Sequence, residues 1–188
     1  MLDPRDNILF DEIDKDGPQE YQRTYTIAPA DLAREEVVNL GPVSITASAR
    51  KGDLPAEYIV EGSTRFTANF ECSRCVESYP FAGSLSFHLR YRPHPQNARE
   101  DEELEVTPAE LDIEFYTERV IALRDLAVEQ IQLSIPMKPL CEDNCLGLCP
   151  HCGANRNREA CSCETSITDE RWGALLGIRE KIAKKRES

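Results

Sequence analysis

Cysteine spacing constrains this chain more than any other feature of its sequence. Six of its eight cysteines lie in the run "CEDNCLGLCPHCGANRNREACSC" at 141–163, and the other two, Cys72 and Cys75, lie far upstream. The upstream pair, like Cys149 and Cys152, is separated by two residues. At that spacing a tight turn can bring two thiolates to one tetrahedral metal ion. The spacing therefore predicts a cysteine-rich metal-binding module.

The segment "CPHCG" at 149–153 has the composition of a zinc knuckle. Pro150 favours the turn, and Gly153 can adopt the positive φ that lets backbone N–H groups face the sulfurs. His151 could substitute for a thiolate, but we expect it to face solvent. A redox Cys-x-x-Cys usually opens a helix, whereas Cys72 ends a predicted strand and another begins after it, so a knuckle in a hairpin is favoured there.

Eight cysteines divide into two sets of four, and zinc is the ion that best suits four thiolates. We predict a downstream tetrad closed within the cysteine run and an upstream tetrad that joins the distant pair to this run. The downstream tetrad comprises Cys149, Cys152, Cys161 and Cys163, and the upstream tetrad comprises Cys72, Cys75, Cys141 and Cys145. Iron–sulfur chemistry and ordinary or redox-active thiols are the alternatives, and the number of bound ions stays open. Four cations near the cysteines could offset the thiolate charge: Arg74, Lys138, Arg156 and Arg158.

Period-two alternation predicts a β-rich body upstream of the cysteine run. The segments "VSITASAR" at 43–50, "RFTANFEC" at 65–72 and "SLSFHLRY" at 84–91 each place apolar residues on one face and polar residues on the other. This pattern is typical of antiparallel strands with one buried face. The segments at 57–62 and 110–118 are further candidate strands. The predicted fold class is α+β, with an antiparallel sheet or partly open barrel, a few helices and a zinc-binding C-terminal module.

Three segments are candidate helices. "PADLAREEVVNL" at 29–40 favours a short helix, and "ALRDLAVEQIQLSIP" at 122–136 has apolar residues at helical intervals and stops before a proline. The last segment, at 168–188, predicts a helix with an apolar stripe and Thr168 as its N-cap.

Two domains follow from this organisation. Residues 1–140 form the predicted β-rich body, which includes an acidic, proline-containing loop near 93–108. Residues 141–188 form the predicted zinc-knuckle module with its C-terminal helix.

The net charge of −12 argues against a general nucleic-acid binder. The first residues lack the basic start and apolar run of a signal peptide, and no stretch approaches the roughly 20 apolar residues that span a bilayer. We therefore expect a cytoplasmic protein without a membrane partner. In a reducing compartment, clustered cysteines bind metal more often than they form disulfides.

A small basic region contrasts with the acidic remainder. It combines Arg156 and Arg158 in "GANRNRE" with Lys184 and Lys185 near the C-terminus, and it could contact RNA phosphates or a protein partner. A solvated basic helix end is the simpler interpretation of the two lysines. Sites filled by cysteine alone lack the open position of a catalytic zinc, and no phosphate-binding loop occurs. We expect neither an enzyme nor a small-molecule substrate.

Three motifs together resemble the YceD family, whose members are described as large ribosomal RNA subunit accumulation proteins. They are "FECSRCVESYPF", "DLAVEQIQLSIPMKPLCEDNCLGLCPHCGANRN" and the closing "CSC", and the resemblance covers roughly Tyr21 to Cys163. Leu146 stands where the family commonly has Lys, and Arg156 stands where it usually has Leu. Neither departure affects a predicted metal ligand, but the first removes a positive charge.

The resemblance implies a non-enzymatic role in large-subunit ribosomal RNA accumulation and ribosome assembly, and it carries over all eight cysteines as motif positions. The implied partners are large-subunit ribosomal RNA or a pre-ribosomal particle, with ribosomal proteins as further candidates. The alternative function is a zinc-stabilised protein-interaction adaptor that does not contact RNA.

Overall fold

A computed structural model describes residues 6–94 and 113–163 of the chain. Contacts among these residues divide them into two compact units. The first unit, here called the body, comprises 6–73, 77–94 and 113–141. The second, here called the knuckle unit, comprises 74–76 and 142–163.

The body contains eight strands, two α-helices and one 3₁₀ helix. In chain order they are β1 (Asn7–Leu9), α1 (Phe10–Asp16), β2 (Gln19–Tyr25), the 3₁₀ helix (Pro29–Leu32), β3 (Val37–Leu40), β4 (Val43–Lys51), β5 (Tyr58–Glu71), β6 (Ser78–Pro93), β7 (Ile113–Tyr116), β8 (Val120–Ala122) and α2 (Leu123–Ser134). Six strands, β3 to β8, follow one another without an intervening helix, and most strand pairs are antiparallel, so the α+β fold class is confirmed.

Six strands form one mixed sheet. Its order is β2-β4-β5-β6-β7, and β3 also pairs with β5; β7 lies parallel to β6, and the other pairs are antiparallel. Among the described strands, β2 and β7 are not paired with each other, so the sheet is open rather than a closed barrel. β1 and β8 form a separate antiparallel pair.

The segments predicted as separate strands at 57–62 and 65–72 belong to the single long strand β5. Gly62 lies within this strand, opposite Ala47 of β4 and Phe87 of β6. A Cβ at Gly62 would overlap the carbonyl oxygen of Thr46. Glycine therefore serves here as a point of close strand approach and does not break the strand.

The alternating residues of the three predicted strands face the hydrophobic core. Buried members include Ile45 of β4, Phe66 and Phe70 of β5, and Phe87 of β6, whereas Leu85 is only half-buried. The predicted strand around 110–118 is present as β7. The alternation therefore identified the sheet and its inner face correctly.

The predicted helix at 122–136 is confirmed as α2, which buries Leu123, Leu126 and Ile131 and ends before Pro136. The predicted helix at 29–40 is wrong. Only a 3₁₀ helix forms there, and it is ended by Ala33, which adopts a left-handed conformation with φ 48°. The following β-branched pair begins β3, in which Val37 pairs with Phe70. Local helical propensity is overridden by pairing with the sheet.

A buried carboxylate lies in the turn between β4 and β5. The side chain of Glu57 is fully buried and accepts hydrogen bonds from Arg90 Nη2 at 2.7 Å, Arg92 Nε at 2.9 Å and Asp53 N at 3.1 Å. Burial by itself raises the pKa of Glu57, but the hydrogen bonds from Arg92 and Arg90 outweigh it, so its pKa lies below the ordinary value. Glu57 is therefore ionised at neutral pH, and its ion pairs with Arg90 and Arg92 connect the turn to β6.

Several predictions concern residues outside the described part of the chain. The C-terminal helix with Lys184 and Lys185 falls after residue 163, and most of the acidic loop falls within 95–112. The division into domains 1–140 and 141–188 stays a prediction. Within 6–94 and 113–163, neither α-helix has the length and apolar character needed to cross a membrane.

Candidate metal centre

The turn between β5 and β6 carries the first cysteine pair. β5 ends at Glu71, and Cys72 N then donates a hydrogen bond to Glu77 O at 3.0 Å, which closes the turn before β6 begins. Ser73 N donates to Pro139 O at 2.9 Å, and Val76 has a positive φ of 60°. The hairpin position that the sequence predicts for this pair is confirmed. Its thiols are presented by a turn whose main-chain groups are hydrogen-bonded.

The "CPHCG" segment forms the second turn of this kind. Gly153 has φ +74°, and its N–H donates to Cys149 O at 2.9 Å, while Cys149 N donates to Ala154 O at 2.8 Å. The backbone N–H groups of Cys152 and His151 donate hydrogen bonds to the Cys149 sulfur and lower the pKa of Cys149 to about 6. The backbone of this knuckle therefore stabilises a thiolate, as a metal ligand requires.

The eight cysteines form two groups, and the groups are the two tetrads that the spacing predicts. One consists of Cys72, Cys75, Cys141 and Cys145, and the other consists of Cys149, Cys152, Cys161 and Cys163. Within each tetrad all sulfur atoms lie within 4.8 Å of one another. Four sulfurs bound tetrahedrally at about 2.3 Å from one ion would stand about 3.8 Å apart. Either tetrad could therefore hold a metal ion after small side-chain adjustments.

The chemistry of the downstream tetrad also suits a cation. The pKa of Cys161 is raised because its thiol shares a hydrogen bond with Cys149, and the pKa of Cys163 is raised to about 11, chiefly by a hydrogen bond with Cys152. Thiolates at these distances would repel one another. A divalent ion would remove that repulsion and displace the remaining protons.

The two tetrads differ in exposure to solvent. In the upstream tetrad three cysteines are buried and Cys141 is half-buried. In the downstream tetrad Cys149 is buried, Cys152 is exposed and the other two are half-buried. His151 is exposed, as predicted, and belongs to neither group. A metal ion in the downstream tetrad would thus be the more accessible to water and competing ligands.

Arg74 has a structural role that the sequence did not reveal. Its Nη1 donates to Cys145 O at 2.7 Å and to Asp143 O at 3.3 Å, and its carbonyl accepts a hydrogen bond from Leu148 N at 3.1 Å. Gly147, with φ +73°, packs so closely that a Cβ there would lie 2.9 Å from Arg74 O. Arg74 therefore holds the turn that presents Cys145, in addition to bringing a positive charge near the sulfurs.

The two asparagines of "GANRN" also act within the fold. Asn157 Oδ1 accepts a hydrogen bond from Leu146 N at 2.8 Å, and Asn157 Nδ2 donates to Cys145 Sγ at 3.2 Å. Asn155 Oδ1 accepts from the backbone N and the Nδ2 of Asn157, both at 3.0 Å. The sequence analysis noted these asparagines only as neighbours of the basic residues. Their hydrogen-bonding role could have been suspected from one feature, which is that two asparagines closely follow the glycine of the knuckle.

The predicted contact residues are divided between described and undescribed parts of the chain. Arg158 is exposed and Arg156 is half-buried, and their backbone N–H groups donate to Asn155 O and Gly147 O, respectively. Lys184 and Lys185 lie outside the described residues. The two arginines thus flank Asn157 on a loop that is fixed by main-chain hydrogen bonds.

Known proteins share parts of this sequence. The chain is 35% identical over 63 residues to "Large ribosomal RNA subunit accumulation protein YCED homolog 1, chloroplastic" of Arabidopsis thaliana; this match covers 34% of the chain and 18% of the plant protein. It is 27% identical over 119 residues to uncharacterized proteins of Mycobacterium tuberculosis and Mycobacterium bovis, a match that covers 63% of the chain and 54% of each relative. The matches thus span about half or less of these relatives. No solved structure matches the chain significantly.

A comparison with protein families extends this result over most of the chain. Residues 60–179 match the family described as "Large ribosomal RNA subunit accumulation protein YceD". The matched range begins in β5 and contains all eight cysteines of the two tetrads. The chain therefore belongs to the YceD family.

Proposed function

We propose that this protein is a non-enzymatic factor for large-subunit ribosomal RNA accumulation and ribosome assembly. The observation that carries the proposal is family membership over a range that contains both tetrads. A binding role agrees with tetrads that are complete with cysteine alone, because a catalytic metal usually keeps an open position. We propose the cytoplasm as the compartment, because clustered cysteines in a reducing compartment bind metal more often than they form disulfides.

Zinc is the metal that we propose for both tetrads. Four thiolates in tetrahedral reach of one ion are typical structural zinc ligands, and such sites contribute directly to folding. Elemental analysis and native mass spectrometry of protein purified without chelator should give about two zinc ions per chain. Iron in place of zinc, or folded protein with no metal, would contradict this part of the proposal.

Arg156 and Arg158 are the described residues that we propose to contact RNA, together with Lys184 and Lys185. Exchanging all four for Glu should weaken binding to large-subunit ribosomal RNA and make it less salt-dependent, because each lost phosphate contact reduces the slope by about 0.7 to 0.9. A matched control exchanges four exposed cations of the body: Lys15, Arg50, Lys51 and Arg65. RNA binding with an unchanged salt slope in the first variant would exclude direct contact through these residues.

Sedimentation of cell lysate tests the assembly role itself. At moderate salt the protein should migrate with precursors of the large ribosomal subunit, and its depletion should lower the amount of large-subunit ribosomal RNA. Migration as free protein only, under conditions in which precursors accumulate, would contradict the proposal.

A second candidate function is a protein-interaction adaptor. Exposed apolar side chains of the knuckle unit favour it: Val76 is 54% exposed, Leu146 is 56% exposed and Leu148 is 39% exposed. Leu146 is also the position at which the family commonly has Lys. If the adaptor function is correct, exchanging Leu146 for Lys should weaken capture of a protein partner, and the purified wild-type protein should not bind large-subunit ribosomal RNA directly.

A further inference from the structure

We propose that Asn157 couples metal binding at the two tetrads through its hydrogen bond to the Cys145 sulfur. The inference rests on the proposed metal binding and concerns a residue that belongs to neither ligand set. Asn157 Nδ2 lies 3.2 Å from Cys145 Sγ, and Cys145 belongs to the upstream tetrad. A residue that does not bind the metal itself can donate a hydrogen bond to a metal-binding atom, and such bonds orient the metal-binding side chain and change its affinity for the metal.

The orientation of this amide is fixed by its other partners. Leu146 N–H can only donate, and it lies 2.8 Å from Asn157 Oδ1, so the amide nitrogen must point to the sulfur. The remaining Nδ2 hydrogen is directed to Asn155 Oδ1 at 3.0 Å. Asn157 therefore donates to Cys145 through an N–H group that has a defined direction.

The loop that carries Asn157 is bounded by ligands of the other tetrad. Cys152 precedes it and Cys161 follows it, and both belong to the downstream tetrad. A metal ion held by those two sulfurs would fix both ends of the loop and reduce the conformational entropy that Asn157 loses when it binds Cys145. Filling the downstream tetrad should therefore raise the metal affinity of the upstream tetrad.

The reverse effect follows by thermodynamic linkage. A metal ion in the upstream tetrad would hold the Cys145 sulfur in one position, so less conformational entropy is lost when Asn157 donates its hydrogen bond to that sulfur. That bond holds the loop in the position at which Cys161 can bind, and coupling of this kind is reciprocal. Arg156 and Arg158 flank Asn157, so their positions become fixed when both tetrads are filled.

Site-resolved protection from alkylation measures this coupling. Folded protein is equilibrated in zinc buffers of defined free concentration, treated briefly with a thiol-alkylating reagent and digested with trypsin. The peptide 66–74 reports on Cys72 in the upstream tetrad, and the peptide 159–171 reports on Cys161 and Cys163 in the downstream tetrad. Each peptide gives the free zinc concentration at which its cysteines become protected.

Asn157→Asp is the informative variant, because it keeps an acceptor for Leu146 N and replaces the donor to Cys145 with a carboxylate oxygen. Protection of Cys72 should then require about 10- to 100-fold more free zinc. Asn157→Ala, which adds no charge, should show a smaller loss. Asn144→Asp is the matched control, since it introduces the same charge at an exposed asparagine of the turn that precedes Cys145 and should leave the protection of Cys72 nearly unchanged.

A double-mutant cycle separates coupling from a local effect. Exchanging Cys161 and Cys163 for Ser should also raise the zinc concentration that protects Cys72. In the Asn157→Ala background the same exchange should raise that zinc concentration little further, because the hydrogen bond that links the two tetrads is already lost. Two effects that simply multiply would overturn the proposal.

Cobalt substitution provides a readout that general destabilisation does not change. Loss of the hydrogen bond raises the energy of the sulfur electrons, so the thiolate-to-cobalt charge-transfer band of Asn157→Ala should shift to longer wavelength. An unchanged band, or unchanged protection of Cys72 in Asn157→Asp, would overturn the coupling alone. Wild-type protein whose cysteines are protected at no zinc concentration would overturn the metal proposal as well.

Discussion

The body and the knuckle unit are stabilised in different ways. The body buries a continuous set of apolar side chains from its strands and α2, including Phe10, Ile45 and Ile131. In the knuckle unit, by contrast, the buried residues within 74–76 and 142–163 are Cys75, Cys145, Gly147 and Cys149. Sulfur atoms thus occupy the positions at which the body has hydrocarbon. Burial of apolar side chains can therefore stabilise the first unit, whereas the second requires ligand binding and polar contacts.

Metal removal should produce the largest difference between the units. Equilibration with a strong zinc chelator under reducing conditions should abolish ordered structure in the knuckle unit, because structural zinc supplies about 10–16 kcal/mol in small zinc domains. The amide resonances of 145–157 should collapse to unfolded positions, while those of β4 and β5 stay dispersed. If the resonances of 145–157 stayed dispersed in metal-free protein, the knuckle unit would not depend on metal for its structure, and the proposed difference between the units would be wrong.

A cavity in the body should produce the complementary result. Phe10 is fully buried and stacks on Tyr58 with ring centroids 4.0 Å apart. Exchanging Phe10 for Ala should lower the free energy of unfolding of the body by about 3–5 kcal/mol, measured by urea denaturation. Zinc content should not change. The exposed Val38, exchanged for Ala, is the control and should alter stability by less than about 0.5 kcal/mol.

The buried carboxylate of the body should give a smaller, pH-dependent effect. Exchanging Glu57 for Gln removes the charge that pairs with Arg90 and Arg92, which are themselves 30% and 27% exposed. We expect a loss of about 1–3 kcal/mol in unfolding free energy at neutral pH.

The sign of the pH dependence follows from the lowered pKa of Glu57. A carboxyl whose pKa is lower in the folded than in the unfolded state stabilises the fold fully above the unfolded-state pKa, and this contribution disappears as pH falls through the folded-state value. The stability difference between wild type and Glu57→Gln should therefore narrow below about pH 4.5, the ordinary pKa of the group. Urea titrations that give an equal difference at pH 7 and pH 3 would argue against this assignment.

Arg74→Lys should have the smallest effect, confined to the knuckle unit. A lysine ammonium is a point donor and cannot reproduce the planar fork that reaches the carbonyls of Asp143 and Cys145. We expect a loss of about 1 kcal/mol and correspondingly faster zinc transfer to a chelator, with the urea transition of the body unchanged. Arg65→Lys, at an exposed position of β5, is the control. Equal transfer rates in both variants would show that the guanidinium fork is dispensable.

Features set by local periodicity could be predicted from the sequence. Alternation identified β4, β5 and β6, and helical spacing identified α2, because one buried face imposes its own repeat on the residues. Pairings between distant short segments could not be predicted in this way. β1 and β8 pair over three residues each, from Asn7 with Ala122 to Leu9 with Val120. Segments of three residues are too short to show a repeat in hydrophobicity.

The candidate metal centre shows the same limit. Cysteine spacing and ligand chemistry were sufficient to divide eight cysteines into two tetrads. The contacts of Arg74 and Asn157 were not predictable, because a carbonyl oxygen and a sulfur atom accept hydrogen bonds from any donor that the fold brings near them. The helix predicted at 29–40 is wrong for a related reason, since Val37 pairs with the distant Phe70 in the sheet.

The composition of the knuckle unit from two separate chain segments has a consequence for synthesis. Arg74 and the Cys145 carbonyl that it binds are 71 residues apart in the chain. At about 5–20 residues per second, a ribosome needs roughly 4–14 s to make the intervening chain. During that interval the nascent hairpin carries its cysteine pair without the turn that completes the unit. The knuckle unit therefore closes only after the strands and helices of the body have been made, and its closure marks the completion of that part of the chain.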